Sequence, residues 1–387
     1  MKLANCRNVK DLRLLAKKKL PDALFDFLEG GSDDEITLKR NTSAFDNYEL
    51  IPEQLGVKNV SLATNVLGQE VKSPIILAPT GMSRLFHHQG EKAVVKAAGR
   101  YKIFYSLATL STVSIEDVAK HSSGPIIFQL YIHKDRGLTR ELIDRAKNAG
   151  YNAVCVTIDT GVIGNRERDL ASGFTIPPKL TLKSILGFAL RPFWTFNYFT
   201  NSRLSIPNVE HRIKGLTNNV IRIADYVNKQ YDPNVSWDDI SEIASIWDGP
   251  FAVKGILSSK DAIRAVDAGA TAVILSNHGG RQLDGTSATI DVLSEIMDEM
   301  ETKTEVILDG GVRRGTHVIK AIAMGAKACM LGRPYLWGLA AGGQLGVSHL
   351  IKLLNDELVR DLILLGCGNL NELNASHIRQ SKIRNIS

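Results

Sequence analysis

A chain of 387 residues can bury one large core or two modest ones, and an α/β barrel of roughly 250 residues counts as a single unit. With 44% hydrophobic and 23% charged residues it has the make-up of a soluble globular enzyme, and no uncharged apolar run approaches membrane-spanning length. The net charge of +6 raises nucleic acid or an acidic membrane surface as partners and decides for neither.

Cys6, Cys155, Cys329 and Cys367 are far apart and include no CxxC pair. Neither a disulfide framework nor a zinc site is indicated, and a reducing cytoplasm is the expected compartment. The first residues, MKLANCRNVKDLR, are charged and polar where a secretory signal needs an apolar stretch. Val9 to Leu20 carries Leu12, Leu15 and Ala16 at helical spacing, and Pro21 opens a second helical piece, PDALFDFLEGG. Residues 1–70 therefore read as a helical cap.

From Pro74 the pattern changes to eight short apolar runs: Ile75 to Ala78, Ile103 to Ser106, Ile126 to Leu130, Ala153 to Thr157, Phe251 to Lys254, Ala272 to Ser276, Val306 to Asp309 and Cys329 to Leu331. Amphipathic stretches such as Glu91 to Arg100, Thr139 to Gly150, Ser259 to Gly269 and Gly315 to Gly325 lie between them. This alternation predicts a TIM (β/α)8 barrel formed by residues 71–176 and 235–387, in a single domain over 1–387. Chemistry in such a barrel sits at the C-terminal strand ends.

Residues 177–234 interrupt the alternation as a long insertion between strands 4 and 5, on the active-site side. Between Lys179 and Asp232 there are eight Lys or Arg against three Asp or Glu. Phe188, Phe193, Trp194, Phe196, Tyr198 and Phe199 crowd into the same segment. Basic residues interleaved with aromatics suit an anionic membrane surface. An amphipathic lid packed on the barrel or a neighbouring subunit is the alternative, with nucleic acid the least favoured.

Two constellations carry chemistry. DGGVRRG, Asp309 to Gly315, and LGRP, Leu331 to Pro334, follow the last two strands, where barrels recurrently bind phosphate on backbone N–H groups. Arg313 and Arg333 add cations there, unless the glycines only make tight turns and the arginines face solvent. With Gln129, Thr157 and Lys254 at the mouth, the site can hold flavin mononucleotide, Lys254 stabilising the anionic reduced ring; a structural ion pair is the other reading of that lysine. The second constellation is Tyr131, Asp159, Arg166, His278 and Arg281. His278 and Arg281 lie in SNHGGRQLDG, directly after a strand. A proton-abstracting base needs a partner that fixes its tautomer, and Asp159 can be that partner. Two arginines can clamp one carboxylate. Around a flavin, these groups point to an anionic substrate with an oxidisable carbon.

The runs SNHGGRQLDG, LDGGVRRG, LGRP, FQLYIHKDR, VTIDT and APTGM resemble, in order and spacing, the FMN-dependent (S)-2-hydroxy acid oxidases and dehydrogenases. The resemblance implies FMN held by Thr80, Gly81, Gln129, Thr157, Lys254, Ser276, Asp309, Gly311, Arg313, Gly332 and Arg333. It implies His278 as the base, Asp159 as its orienting carboxylate, Arg281 and Arg166 as carboxylate anchors and Tyr131 as a partner of the substrate oxygen. The implied reaction oxidises a small (S)-2-hydroxy acid, lactate-like or larger, to the 2-oxo acid. GNRERDLASGFTIPP and the basic aromatic insertion resemble the membrane-associated dehydrogenases. They imply a quinone or other respiratory acceptor and a cytoplasmic protein lying peripherally on the inner face of the cell membrane, and the resemblance to the family as a whole implies a homotetramer. An oxidase that reduces O2 to H2O2, and a membrane-binding barrel with a relict flavin site, are the alternatives. Phe27 stands where the family usually has a tyrosine, Ala108 where many members have a serine, and Gly81 leaves room above the flavin.

Overall fold

Eight parallel strands form where the apolar runs fall: β1 (Ile75–Leu77), β2 (Phe104–Ala108), β3 (Ile126–Leu130), β4 (Ala153–Thr157), β5 (Phe251–Ile256), β6 (Ala272–Leu275), β7 (Glu305–Asp309) and β8 (Ala328–Leu331). Each pairs with its neighbours in sequence, and β8 pairs with β1, so the sheet closes into the expected (β/α)8 barrel. The computed structural model describes residues 2–53, 59–172, 187, 190–201, 204–212, 229–300 and 304–381. β2, β3 and β4 are buried at every position, because the barrel interior covers one face and the outer helices the other.

Strand alternation places the site. Ile127, Cys155, Ala252, Ile274 and Ile307 form one inner apolar cluster. Side chains two positions apart share a face. Gln129, Thr157, Lys254, Ser276 and Asp309 each stand two residues further along, so they project inward at the C-terminal mouth. Below the cluster, a hairpin of Thr64–Val66 and Gln69–Val71 packs Val66, Leu67 and Val71 onto the same residues. Leu67 (φ 48°) and Gly68 (φ 72°) make the two-residue turn, and the Leu67 N–H donates to Glu305 Oε2 at 2.8 Å. Glu305 begins β7, so the hairpin closes the end of the barrel away from the chemistry.

The cap helices form as their spacing predicts, Val9–Lys19 and Asp22–Glu29. The Asn8 side chain caps the first by accepting the Asp11 N–H at 2.9 Å, and Leu12, Leu15 and Ala16 are buried. A third cap helix, Ile36–Ser43, was not legible in the apolar spacing. After β8 a helical run, Arg333–Leu365, broken at Gly342 and Gly343, packs on the first cap helix and on Gly90–Tyr101. In the insertion, Pro192–Thr200 is a helix with Trp194 buried, its Nε1–H donating to Leu85 O at 2.8 Å. Phe188 and the basic residues Lys179, Lys183, Arg203, Lys214 and Arg222 lie outside the described residues.

Candidate active site

The strand tips and the cap enclose a cavity of about 550 Å³ at the C-terminal mouth. Lys254, on β5, is buried and lies 2.8 Å from Asp309 Oδ2 on β7. Its Nζ donates to Ser276 Oγ at 2.7 Å, and Ser276 in turn donates to Asp309 at 2.8 Å. Burial alone would lower the lysine's pKa, but Asp309 and Asp159 outweigh it and raise it. The lysine is therefore a fixed cation. Ser276 also accepts the His278 N–H at 3.1 Å, which ties the histidine loop to this triad.

His278 has left-handed backbone (φ 56°), uncommon for a residue with a Cβ. The loop is held by Asn277, whose amide exchanges hydrogen bonds with Asn41 of the third cap helix at 2.7 and 2.8 Å. His278 Nδ1 lies 2.9 Å from Asp159 Oδ1. Burial would raise the Asp159 pKa, but His278 and Lys254 hold its carboxyl below the usual range. The Gln282 amide donates to Asp159 O at 2.9 Å and fixes that segment. Asn41 lies outside the motifs, and Gln282, though inside SNHGGRQLDG, was not singled out, since each acts through a contact distant in sequence.

The arginines converge on the end of the second cap helix. Arg281 Nη1 donates to the carbonyls of Phe27 and Gly30 at 3.0 and 2.7 Å. Arg333 donates to Leu28 O, Gly30 O and Gly279 O at 3.1, 2.9 and 2.8 Å. Carbonyls at a helix C-terminus carry partial negative charge, so they hold cations there. Arg281 and Arg166 both lie over the Phe27 ring, at 5.3 and 5.8 Å. Arg166 is 3.6 Å from Asp169. Burial pushes the Arg281 guanidinium well below its ordinary range, with Arg166 and Arg333 adding repulsion. Burial likewise pushes Arg313 down to about 9, and Arg333 adds to it; Arg313 lies 5.0 Å over the Trp337 ring.

The remaining expected residues also reach this end of the barrel. Gln129 donates to Thr157 Oγ1 at 3.0 Å. Thr80, Gly81 and Ala108 line the cavity, and Thr80 is hydrogen-bonded to the Tyr335 hydroxyl. A Cβ on Gly81 would lie 3.1 Å from Leu110 O, so a larger residue there needs a small shift of that backbone. Tyr131 meets Tyr231 edge-on at 5.5 Å. Tyr231 and Asp169 are wall residues that the sequence reading did not single out.

A model of the FMN-dependent dehydrogenase family matches residues 16–380. The chain belongs to that family. It is 44% identical over 376 residues to an L-lactate oxidase from Nostoc sp., covering 96% of this chain and 97% of the relative. It is 40% identical over 379 residues to 2-hydroxyacid oxidase 1 of Homo sapiens, with 97% of each covered. Among solved structures, the monotopic membrane protein (S)-mandelate dehydrogenase superposes with a TM-score of 0.93 at 35% identity, covering 97% of this chain and all of that one. The protein is thus an FMN-dependent 2-hydroxy acid oxidoreductase.

The cavity fits the cofactor on its own terms. Gly310, Gly311 and Gly332 line it, and a Cβ on Gly332 would meet nothing within 4 Å. Lys254, Arg281, Arg313 and Arg333 also line it, and among the described residues the three arginines donate to neutral carbonyls or lie over aromatic rings. Half-buried cations that repel one another, only partly offset by Asp169, Glu29 and Glu35, favour bound anions, and a flavin phosphate together with a substrate carboxylate would supply them.

Proposed function

We propose that the protein oxidises an (S)-2-hydroxy acid, lactate-like or larger, to the 2-oxo acid and passes the electrons to a quinone or other membrane acceptor. The observation that carries the oxidative half is His278 Nδ1 at 2.9 Å from Asp159 Oδ1 beside the arginine pair. With its Nδ1 hydrogen donated to the carboxylate, the neutral ring keeps Nε2 free to accept a proton from the substrate. Asp159 then stabilises the imidazolium that forms. Arg281 and Arg166 bind the substrate carboxylate, and Tyr131 hydrogen-bonds its oxygen. The turns of Gly311 with Arg313 and Gly332 with Arg333 would hold the phosphate, and Gln129, Thr157, Ser276 and the Lys254–Asp309 pair would hold the rest of the cofactor. Bound FMN would supply the two-electron acceptor for this oxidation.

Phe27, Leu110, Phe86 and Ile206 give the cavity an apolar side, which favours an acid with an apolar substituent. The membrane acceptor is supported by the helix Pro192–Thr200. Phe193, Phe196 and Phe199 are 86%, 68% and 66% exposed, beside Leu190 and Arg191. Among the described residues no helix is long and apolar enough to cross a bilayer, so a peripheral seat on the inner membrane face is proposed. Anaerobic flavin reduction across a panel of 2-hydroxy acids tests the reaction. It should be fast with one of them and abolished in His278→Ala. The second reading, an oxidase, is favoured by the likeness to the L-lactate oxidase. Comparing reoxidation of the reduced protein by O2 and by a quinone analogue separates the two.

A further inference from the structure

A second cavity, also about 550 Å³, opens beside the active site between the aromatic helix and the cap. It is not part of the flavin site, yet Phe86 lines both. The Phe86 ring stacks on Phe27 at 6.3 Å and 17°, so a single aromatic layer separates the new cavity from the wall under the two substrate arginines. Trp194 and Tyr198, stacked on each other at 4.9 Å and 17°, also line it. Leu190 and Phe193, 63% and 86% exposed, form its outer lip.

Its accessible surface is mainly apolar, although Lys18, Lys19, Arg84, His87, His88 and Arg191 are also among its lining residues. His87 Nδ1 accepts the Gln89 N–H at 3.3 Å, so Nε2 carries the ring hydrogen and is a donor. Burial pushes the His87 pKa down to about 4, so the ring is neutral at physiological pH. Lys19 donates to Ala341 O, and Arg191 is engaged by Leu20 O and Asp22. A phosphate would need converging cations, whereas Lys19, Arg191 and Arg84, whose Nε donates to His88 O at 3.3 Å, are each engaged with separate backbone carbonyls, and Arg191 also with Asp22. A flat, neutral ring with hydrogen-bond acceptors matches apolar aromatic walls with one neutral donor.

We propose that this cavity seats the ring of a lipophilic quinone, one carbonyl accepting from His87, the ring between Phe86 and Trp194, and the tail leaving past Phe193. The proposal rests on the reading of the protein as a dehydrogenase with a membrane acceptor, and it gives that acceptor a place. The chemistry balances. The acid loses its α-hydrogen and hydroxyl hydrogen as two electrons and two protons and becomes the 2-oxo acid. The quinone gains two electrons and two protons, and its two carbonyls become the hydroxyls of a hydroquinone.

The test fills the cavity from its exposed sides, with Asn197→Trp and Leu204→Trp made separately in the flavin-loaded protein. Neither residue touches the catalytic groups. Binding of a short-chain ubiquinone analogue, followed by calorimetry, should weaken at least tenfold in both variants. Reoxidation by that analogue should slow by a similar factor, while anaerobic flavin reduction by the acid and reoxidation by ferricyanide stay at wild-type rates. If wild type binds and uses the analogue and both variants do so equally well, the location is wrong and the dehydrogenase reading stands. If wild type neither binds the analogue nor is reoxidised by it, both fail together. If the fillings instead abolish only binding to anionic phosphatidylglycerol vesicles, the cavity takes lipid and the proposal is overturned.

Discussion

Gly255 and Asp159 are in direct backbone-to-side-chain register: Gly255 has φ 107°, and a Cβ on it would lie 2.8 Å from the Asp159 Cβ. The β5 ladder is irregular between Lys254 and Ile256, so a bulge centred on the glycine lets the strand run past the aspartate. Gly255→Ala should strain the backbone by about 1–3 kcal/mol and push Asp159 away from His278. A misplacement on the order of 1 Å costs about a hundredfold in rate. The expected variant keeps its flavin absorbance and loses about that factor in flavin reduction. Wild-type reduction would show that Asp159 does not position His278.

Asp159→Asn keeps the shape and removes the charge. Losing the group that stabilises the imidazolium should lower the reduction rate by about 10²–10⁴-fold, with flavin content unchanged. The pH dependence has a definite sign. Asp159 is held below the ordinary carboxylate value, against the upward push of burial, by His278 and Lys254. Its contribution to stability is fully present above about pH 4 and is lost as pH falls through its lower folded value. Wild type should therefore lose melting temperature more steeply than the asparagine variant below about pH 4.

Phe27 holds Arg281 and Arg166 by its ring face and offers the substrate no hydroxyl. Phe27→Tyr should add one hydrogen bond near the bound carboxylate, about 0.5–1.5 kcal/mol net, or roughly a threefold to tenfold fall in KM for a small acid. The value of kcat should hardly move, since the contact forms in ground and transition states alike. An unchanged KM for lactate would mean that the hydroxyl does not reach the substrate.

The barrel was readable because each parallel strand is buried on both faces and so appears as a continuous apolar run; all eight strands lie within two residues of their expected ends. The motif residues were readable because they follow those strands directly. The arginines show where reading stopped. Beside its expected place in the phosphate loop, Arg333 also ties the carbonyls of Leu28, Gly30 and Gly279, a contact set by how the cap docks and invisible in the motif. Tyr231 escaped because it lies outside every motif and reaches the wall through contacts distant in sequence, with the Tyr131 ring and with the backbone of His133. The Thr64–Val71 hairpin has strands of three residues each, too short to show alternation.

Lys254 and Asp309 form a buried pair at 2.8 Å with Ser276 bonded to both. Breaking such a pair by removing one partner leaves an uncompensated charge and costs about 3–5 kcal/mol. Lys254→Met should lower the melting temperature and the FMN occupancy together. Adding Asp309→Asn to it should recover part of the stability, because no charge is then left unpaired, without recovering activity. Independent, additive losses in the double variant would mean that the two residues do not act as a pair.

His133 is 3% exposed, and burial pushes its pKa down to about 4, with Asp135 pulling weakly the other way. Burial likewise takes His87 and His317 to about 4. In the unfolded chain each titrates near 6.5. Between those values the unfolded chain binds more protons than the folded one, so stability rises with pH across the window. It is fully present above about pH 6.5 and is lost progressively toward pH 4, by at most about 1.4 kcal/mol per pH unit for His133. Asp159 does not contribute in this window, because both of its states are ionised over most of it. Carboxyls that burial raises, such as Glu91, Asp169 and Glu305, act with the opposite sign, so the histidine contribution is read as a difference: in denaturant unfolding from pH 7 to 4.5, stability should rise less with pH in His133→Leu than in wild type. A slope identical to wild type would mean that His133 is protonated without cost in the folded protein.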